Sequence, residues 1–291
     1  MNNPLATLCD QFLRERKFLR NITPSTLVWY QVAFKNFQAT FPSEATLPTK
    51  TTLQDFVIRL RERGIRPVTC NTYIAAMNAF CRWLHEEGHL AEKLTLKKLR
   101  VEQRVLPLLN DIHLRHLLAF RPKTFRQHRT HTAVCLVLDT GLRVSEMLNL
   151  KQVDVDFDNL VLKVLGKGRK ERLVPFSPEL RRRLFRYEKH KTQKGIRSEL
   201  VFAGFDGTRW EKRNSTTSLY LLEDKLGLSR FGWHRLRHTF ATNYLRHGGD
   251  IVRLSMVLGH SQITTTQRYL HLLTEDLSAS HQKVSILNRL G

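Results

Sequence analysis

Residues 231–272 read FGWHRLRHTFATNYLRHGGDIVRLSMVLGHSQITTTQRYLHL. Four side chains in this stretch suit phosphate chemistry: His234, Arg237, His260 and Tyr269. His234 and Arg237 are three positions apart, so a helix places them on one face. Arg237 offers a fixed fork of N–H donors that matches phosphate oxygens. His234 exchanges protons near neutral pH. The Tyr269 hydroxyl becomes a nucleophile once cations surround it. Taken singly, a helical His or Arg on a basic chain is ordinarily solvated, and a Tyr on a Thr-rich helix is ordinarily half-buried packing. Their weight comes from two further sites upstream.

The first is Thr140-Gly141-Leu142-Arg143. It interrupts a helix expected over residues 128–140, buried through Ala133, Val134, Leu136 and Val137, and precedes another over 144–150. Arg143 therefore falls at a helix start after a glycine turn, where backbone N–H groups and a guanidinium together suit an anion. The second lies where the period changes. Residues 160–165 and 173–176 read as two strands around Gly166-Lys167-Gly168-Arg169-Lys170-Glu171-Arg172, a hairpin with a basic, glycine-rich tip that lets the Lys167 ammonium reach out. Pro178 opens a basic helix to about residue 190, residues 200–202 are extended, and residues 215–226 are helical. The 22 residues beyond Tyr269 hold a last helix start at Thr274 and a few apolar residues suited to docking on this molecule or a neighbour.

The N-terminal part has no strand pattern. Apolar residues at helical spacing predict helices over 4–19, 24–37, 51–64 and 67–88, with Thr23-Pro24 and Pro67 at helix starts. They make a compact helical domain of about a hundred residues. Residues 94–107, LTLKKLRVEQRVLP, show no period, are basic and end in proline, and so read as a linker. The expected boundaries are a helical domain over 1–95, a basic linker over 96–107 and a second domain with a C-terminal tail over 108–291. The fold class is mainly α with a small antiparallel β-hairpin or sheet: an all-helical first domain and an α+β second.

Charge narrows the partners. Lys and Arg number 48 against 26 Asp and Glu, a formal net charge of +22, so polyanions and nucleic acid above all are the expected partners. No long basic amphipathic helix points to a membrane surface, and the apolar run at 133–138 is far too short to span one. Cys9, Cys70, Cys81 and Cys135 form no C-x-x-C pair and read as reduced thiols of a cytoplasmic protein. The N-terminus lacks the pattern of a signal peptide.

The blocks T-G-L-R-V-S-E (Arg143), G-K-G-R-K-E-R-L-V-P (Lys167), H-R-L-R-H-T-F-A-T (His234, Arg237), L-G-H-S (His260) and Tyr269 nine positions later resemble the tyrosine recombinases of the phage-integrase and Xer type, in that family's order and spacing. The resemblance implies site-specific recombination of double-stranded DNA through a covalent 3′-phosphotyrosyl intermediate, with topoisomerase-IB-like chemistry and no ATP, metal or other cofactor. It implies that Arg143, Arg237 and His260 bind the scissile phosphate. Tyr269 would be the nucleophile, His234 the general base and Lys167 the acid for the leaving 5′ oxygen. Glu146 would orient Arg143, against the equal alternative of a surface glutamate. It further implies a homotetramer on paired DNA sites, with or without a partner recombinase, gated by the C-terminal tail. A non-catalytic DNA-binding protein and a topoisomerase-like enzyme that reseals without exchange are the rival readings. The full set of six side chains argues against the first. The second differs only in assembly.

Overall fold

In a computed structural model the described residues are 4–42, 45–101, 108–166, 170–260, 262–267 and 269. They fall into two compact units, Met1–Val105 and Leu106–Gly291.

The first unit holds α1 (Pro4–Phe18), α2 (Pro24–Gln38), α3 (Lys50–Glu62) and α4 (Pro67–Glu86). Thr23 caps α2 through its side chain, with Pro24 in the first turn. α3 starts earlier than the sequence suggests, because Thr49 and Thr52 cap each other reciprocally. Phe12 is the hub of the core, packing edge-on against Tyr30, Phe34, Phe80 and Trp83. The indole N–H of Trp83 donates to Glu15 at 2.7 Å and ties α4 to α1.

The expected linker is only partly one. Leu94, Leu96 and Leu99 pack against this core. Asn78 receives the Leu96 N–H and donates to its carbonyl, at 2.8 and 2.9 Å, and Asn71 does the same for Leu99. Each amide satisfies both the N–H and the carbonyl of one residue, so α4 holds the segment without any helical period in the sequence. Residues 102–107 lie outside the described residues.

The second unit holds α5 (Asp111–Ala119), α6 (Phe125–Thr140), α7 (Val144–Leu148), β1 (Val155–Asp156), β2 (Val161–Leu165), β3 (Glu171–Pro175), α8 (Pro178–Gln193), α9 (Lys212–Lys225), α10 (Gly232–Arg246), α11 (Ile251–Leu258) and α12 (Thr264–Gln267). The expected hairpin is the β2–β3 pair, antiparallel with Leu162 opposite Val174. β1 adds a third antiparallel strand of two residues, too short to show a period. The core runs through α6, where Ala133, Val134, Leu136 and Val137 are buried together with Arg129, Thr130, His131 and Thr132. α8, α9 and α10 pack around it. Among the described residues no helix is long and apolar enough to cross a membrane.

Candidate active site

Two helix ends build the floor of the site. α6 ends at Gly141 and α11 at Gly259, both in the left-handed conformation (φ 65° and 64°). Any side chain would be strained at either place, and each is crowded as well. A Cβ on Gly141 would lie 2.3 Å from the Phe240 ring, and one on Gly259 3.0 Å from the Arg172 guanidinium. These turns leave carbonyl groups facing inward, at the negative ends of both helix dipoles. Cations occupy them. Arg237 donates to Gly141 O at 2.7 Å and to Leu258 O at 2.8 Å. Arg143 donates to Gly259 O at 3.1 Å, and Arg172 donates from Nε to Val257 O at 2.8 Å.

One carboxylate joins these cations. Glu146 is buried, and it accepts from Arg143 Nη1 at 2.9 Å, from the Arg143 backbone N–H at 2.8 Å, and from both Nη groups of Arg172 at 3.0 and 2.8 Å. Of the two readings of Glu146, the surface one is therefore wrong for its location. The expectation that backbone N–H groups at the start of α7 await an anion also needs correction. α7 has five residues, and Glu146 already takes the Arg143 N–H in a capping box. That N–H is closed to an anion, and the Arg143 guanidinium beside it remains.

Arg237 is 3% exposed. Burial pushes its pKa down to about 10, the charge of Arg143 adding to the effect and Glu146 and the Tyr269 phenol opposing it, so it keeps its charge at neutral pH. It also lies 3.0 Å from His260 Nε2. A guanidinium only donates, so His260 Nε2 accepts and the ring proton sits on Nδ1, which donates to Thr266 Oγ1 at 2.8 Å. Donation from Nε2 to a phosphate requires the Arg237 bond to open first.

His234 and Arg237 both lie on α10, as their spacing predicts, with His234 exposed and Arg237 buried. α10 has no side-chain cap of its own. The buried Glu223 of α9 supplies one by accepting the N–H groups of Phe231 and Gly232, both at 3.2 Å. The Nε2 atoms of His234 and His238 are 2.9 Å apart, so one donates and the other accepts. The His238 ring in turn lies 5.2 Å from the Tyr269 ring. Tyr269 stands two residues past the four-residue α12, not within a helix as expected, and its N–H donates to Thr266 O. It is 4% exposed and packs with Ala241, Leu245, Leu254 and Leu258. Lys167 lies outside the described residues, as does the tail beyond Tyr269.

The Phage integrase family model matches residues 108–276. The tyrosine recombinase XerD of Yersinia pestis is 30% identical over 97% of this chain and 97% of its own. This chain belongs to the phage integrase family of tyrosine recombinases. The tyrosine recombinase XerA of Thermococcus onnurineus (strain NA1) is 30% identical over 94% of this chain and 93% of its own. The fold is that of the Tn1549 transposon integrase (aa 82–397) in complex with circular intermediate DNA, with a TM-score of 0.77 at 20% identity over 91% of this chain and 94% of that one. It is also that of the XerH recombinase bound to difH substrate in a pre-cleavage complex, with a TM-score of 0.71 at 18% identity over 94% and 82%.

In this tyrosine recombinase the site contains three residues to which the sequence reading gives no role: Arg172, His238 and Glu223. Arg172 and His238 stand inside the motif blocks quoted above, and His238 is four positions from His234, the spacing at which helical side chains meet. For Glu223 no local signal exists, since its partners are turn N–H groups.

Glu146 carries a testable consequence. Burial raises its pKa, but the Arg172 hydrogen bonds, the Arg143 N–H and the charge of Arg172 outweigh this and hold it below the usual 4.5. A carboxyl whose folded pKa lies below its unfolded one contributes stability that is complete above the unfolded value and is lost as pH falls through the folded one. Wild type should therefore lose stability below 4.5, and Glu146→Gln should not show that component. Glu146→Ala, which strands two cations, should cost about 3–5 kcal/mol at neutral pH. Urea melts from pH 7 to about 3 check both effects.

Proposed function

We propose that this chain carries out site-specific DNA recombination, cutting and rejoining strands through a 3′-phosphotyrosyl intermediate. The observation that carries the reading is two guanidinium groups, Arg143 and Arg172, bonded to one buried carboxylate, with the buried Arg237 close enough to feel the charges of Arg143, Glu146 and Tyr269. Such a site has surplus positive charge, and an anion with several oxygens satisfies it.

The chemistry follows from the groups present. A phosphodiester already carries a negative charge, and its pentavalent transition state concentrates more on the non-bridging oxygens. Arg143 and Arg237 bind those oxygens. The Tyr269 oxygen attacks phosphorus and the bond to the 5′ oxygen breaks, leaving a phosphotyrosine on the 3′ side. A free phenol has a pKa of about 10, so its proton must leave during attack. His234, in contact with His238 and through it with the Tyr269 ring, accepts that proton. The departing 5′ alkoxide needs a proton, which the Lys167 ammonium supplies. The new ester conserves the energy of the old one, so a different 5′ hydroxyl can reverse the step. The basic surface holds the duplex mainly through phosphates. We further assign the enzyme to the cytoplasm and to a homotetramer on paired sites.

The test is covalent capture. Purified protein is incubated with a library of random-sequence duplexes nicked near the centre, and SDS-resistant complexes are sequenced and digested. The expected result is a common DNA site and a nucleotide adduct on the peptide containing Tyr269. DNA binding with no SDS-resistant product would overturn the reading. Exchange between two marked copies of the captured site separates recombination from resealing alone.

A further inference from the structure

We infer that Arg172 is a positioning residue for phosphate binding: it holds Glu146 so that Arg143 keeps its charge for the DNA. The inference rests on the strand-transfer reading above.

Glu146 is a buried carboxylate with two arginines in reach. If Arg143 were its only partner, the lowest-energy arrangement would be a bidentate pair, which consumes the Arg143 fork and cancels its charge. Arg172 prevents this by occupying both carboxylate oxygens, Nη1 on Oε1 and Nη2 on Oε2. Among the described residues the Arg143 guanidinium keeps one bond to Oε1 and one to Gly259 O. The exposures agree with this division. The Arg172 side chain is 12% exposed and that of Arg143 is 35% exposed, so the first is committed to the interior and the second still faces an incoming ligand.

The setting of Arg172 explains why it is an arginine. Its three nitrogens donate in one plane to Val257 O and to both Glu146 oxygens. The guanidinium lies close against Gly259, where a Cβ would meet Cζ, Nε and Nη1 at 3.0 Å, and against Gly166 at the neck of the β2–β3 hairpin, where a Cβ would meet Nη1 at 3.3 Å. One planar group thus links β3, α7, the end of α11 and the hairpin neck. Lysine matches the charge but not the three fixed directions.

A buried ion pair can be merely structural, so the test must read something that lost folding does not move. We compare wild type, Arg172→Lys and the doubly neutral Arg172→Gln/Glu146→Gln. Each is given the captured site twice, once with an ordinary scissile phosphodiester and once with a methylphosphonate, which lacks the non-bridging charge. On the phosphodiester, Arg172→Lys should form the covalent adduct about 30-fold more slowly, within the range seen when an outer partner of a site is lost. On the methylphosphonate, which is neutral in the ground state and carries less charge in the transition state, the demand on the Arg143 charge is smaller and the deficit should shrink to about threefold or less. The double variant has no carboxylate to hold, so it should cleave the phosphodiester faster than Arg172→Lys. An equal deficit on both substrates, or a phosphodiester rate for Arg172→Lys within about threefold of wild type, overturns the inference while leaving strand transfer intact. A wild-type enzyme that forms no adduct on either substrate defeats both.

Discussion

Tyr269→Phe should bind DNA as wild type does and form no covalent complex. The substitution is mild for the fold and total for the chemistry. The ring is 4% exposed and packs among Ala241, Leu245, Leu254 and Leu258, and phenylalanine keeps every one of those apolar contacts. It also leaves the contact with the His238 ring in place. Only the hydroxyl is lost, which costs about 1 kcal/mol or less in stability. Affinity should stay within about twofold, because binding is dominated by Lys and Arg on phosphates and the variant removes no cation. The bond to phosphorus, however, has no oxygen left to form it. Fluorescence anisotropy on the captured site and SDS gels of the same mixtures separate the two effects. A surviving adduct would assign the nucleophile elsewhere, and a large loss of affinity would give Tyr269 a role in the fold rather than in bond exchange.

Much of this architecture is legible from local chemistry. Thr23 and Ser177 cap the helices that the sequence places after them, each through a side-chain oxygen accepting a backbone N–H. The break at Gly141 is equally plain, since a helix followed by glycine ends in the left-handed turn. The start of α6 is less so. The sequence suggests about residue 128, whereas the helix begins at Phe125 behind the Thr124 cap. Its first half carries buried polar residues, Arg129 and His131 among them, which donate to carbonyls in the interior: Arg129 to Ala203 O and His131 to Leu117 O. Hydrophobic periodicity cannot see burial of that kind. The short α12 misleads in the opposite sense. Three consecutive threonines read as a helix, but their β-branched side chains favour it poorly, and Tyr269 lies in a turn.

The site divides along the same line. Arg143, His234, Arg237, His260 and Tyr269 are visible because each stands in a short block whose chemistry is stated by residue type. What the sequence does not state is who restrains whom. Arg172 reaches Glu146 across 26 positions and Val257 across 85, and Arg143 reaches Gly259 across 116. Such pairings are made by the packing of α11 against β3 and of α10 against α6, and no local pattern encodes them. Two arginines of one carboxylate look alike in the sequence. In the folded chain one is buried in restraint and the other is left to meet a ligand.

Arg237→Ala should damage both activity and the fold, which sets it apart from Tyr269→Phe. The guanidinium closes three acceptors at once: Gly141 O, Leu258 O and His260 Nε2. Its removal leaves two helix-terminal carbonyls in a buried site without their cation, each worth about 1–3 kcal/mol if unsatisfied. A net loss of about 3 kcal/mol is expected, or a melting temperature lower by roughly 5–10 °C for a unit of this size. It also removes the donor on His260 Nε2 and leaves the bond between Nδ1 and Thr266, so the imidazole is held less firmly. For the chemical step, one of the two cations on the non-bridging oxygens is gone, and adduct formation should fall by about 10²–10³-fold. Arg237→Lys discriminates between the two losses. Lysine restores a positive charge and can satisfy one carbonyl, so much of the stability should return. It cannot hold Gly141 O, Leu258 O and His260 while presenting donors to a phosphate, so most of the rate should not. Thermal melts and single-turnover adduct formation on the captured site give the comparison. Full recovery of rate with lysine would mean that Arg237 acts as a bare charge, and that the carbonyl floor laid down by Gly141 and Gly259 is there for the fold rather than for aiming the guanidinium at DNA.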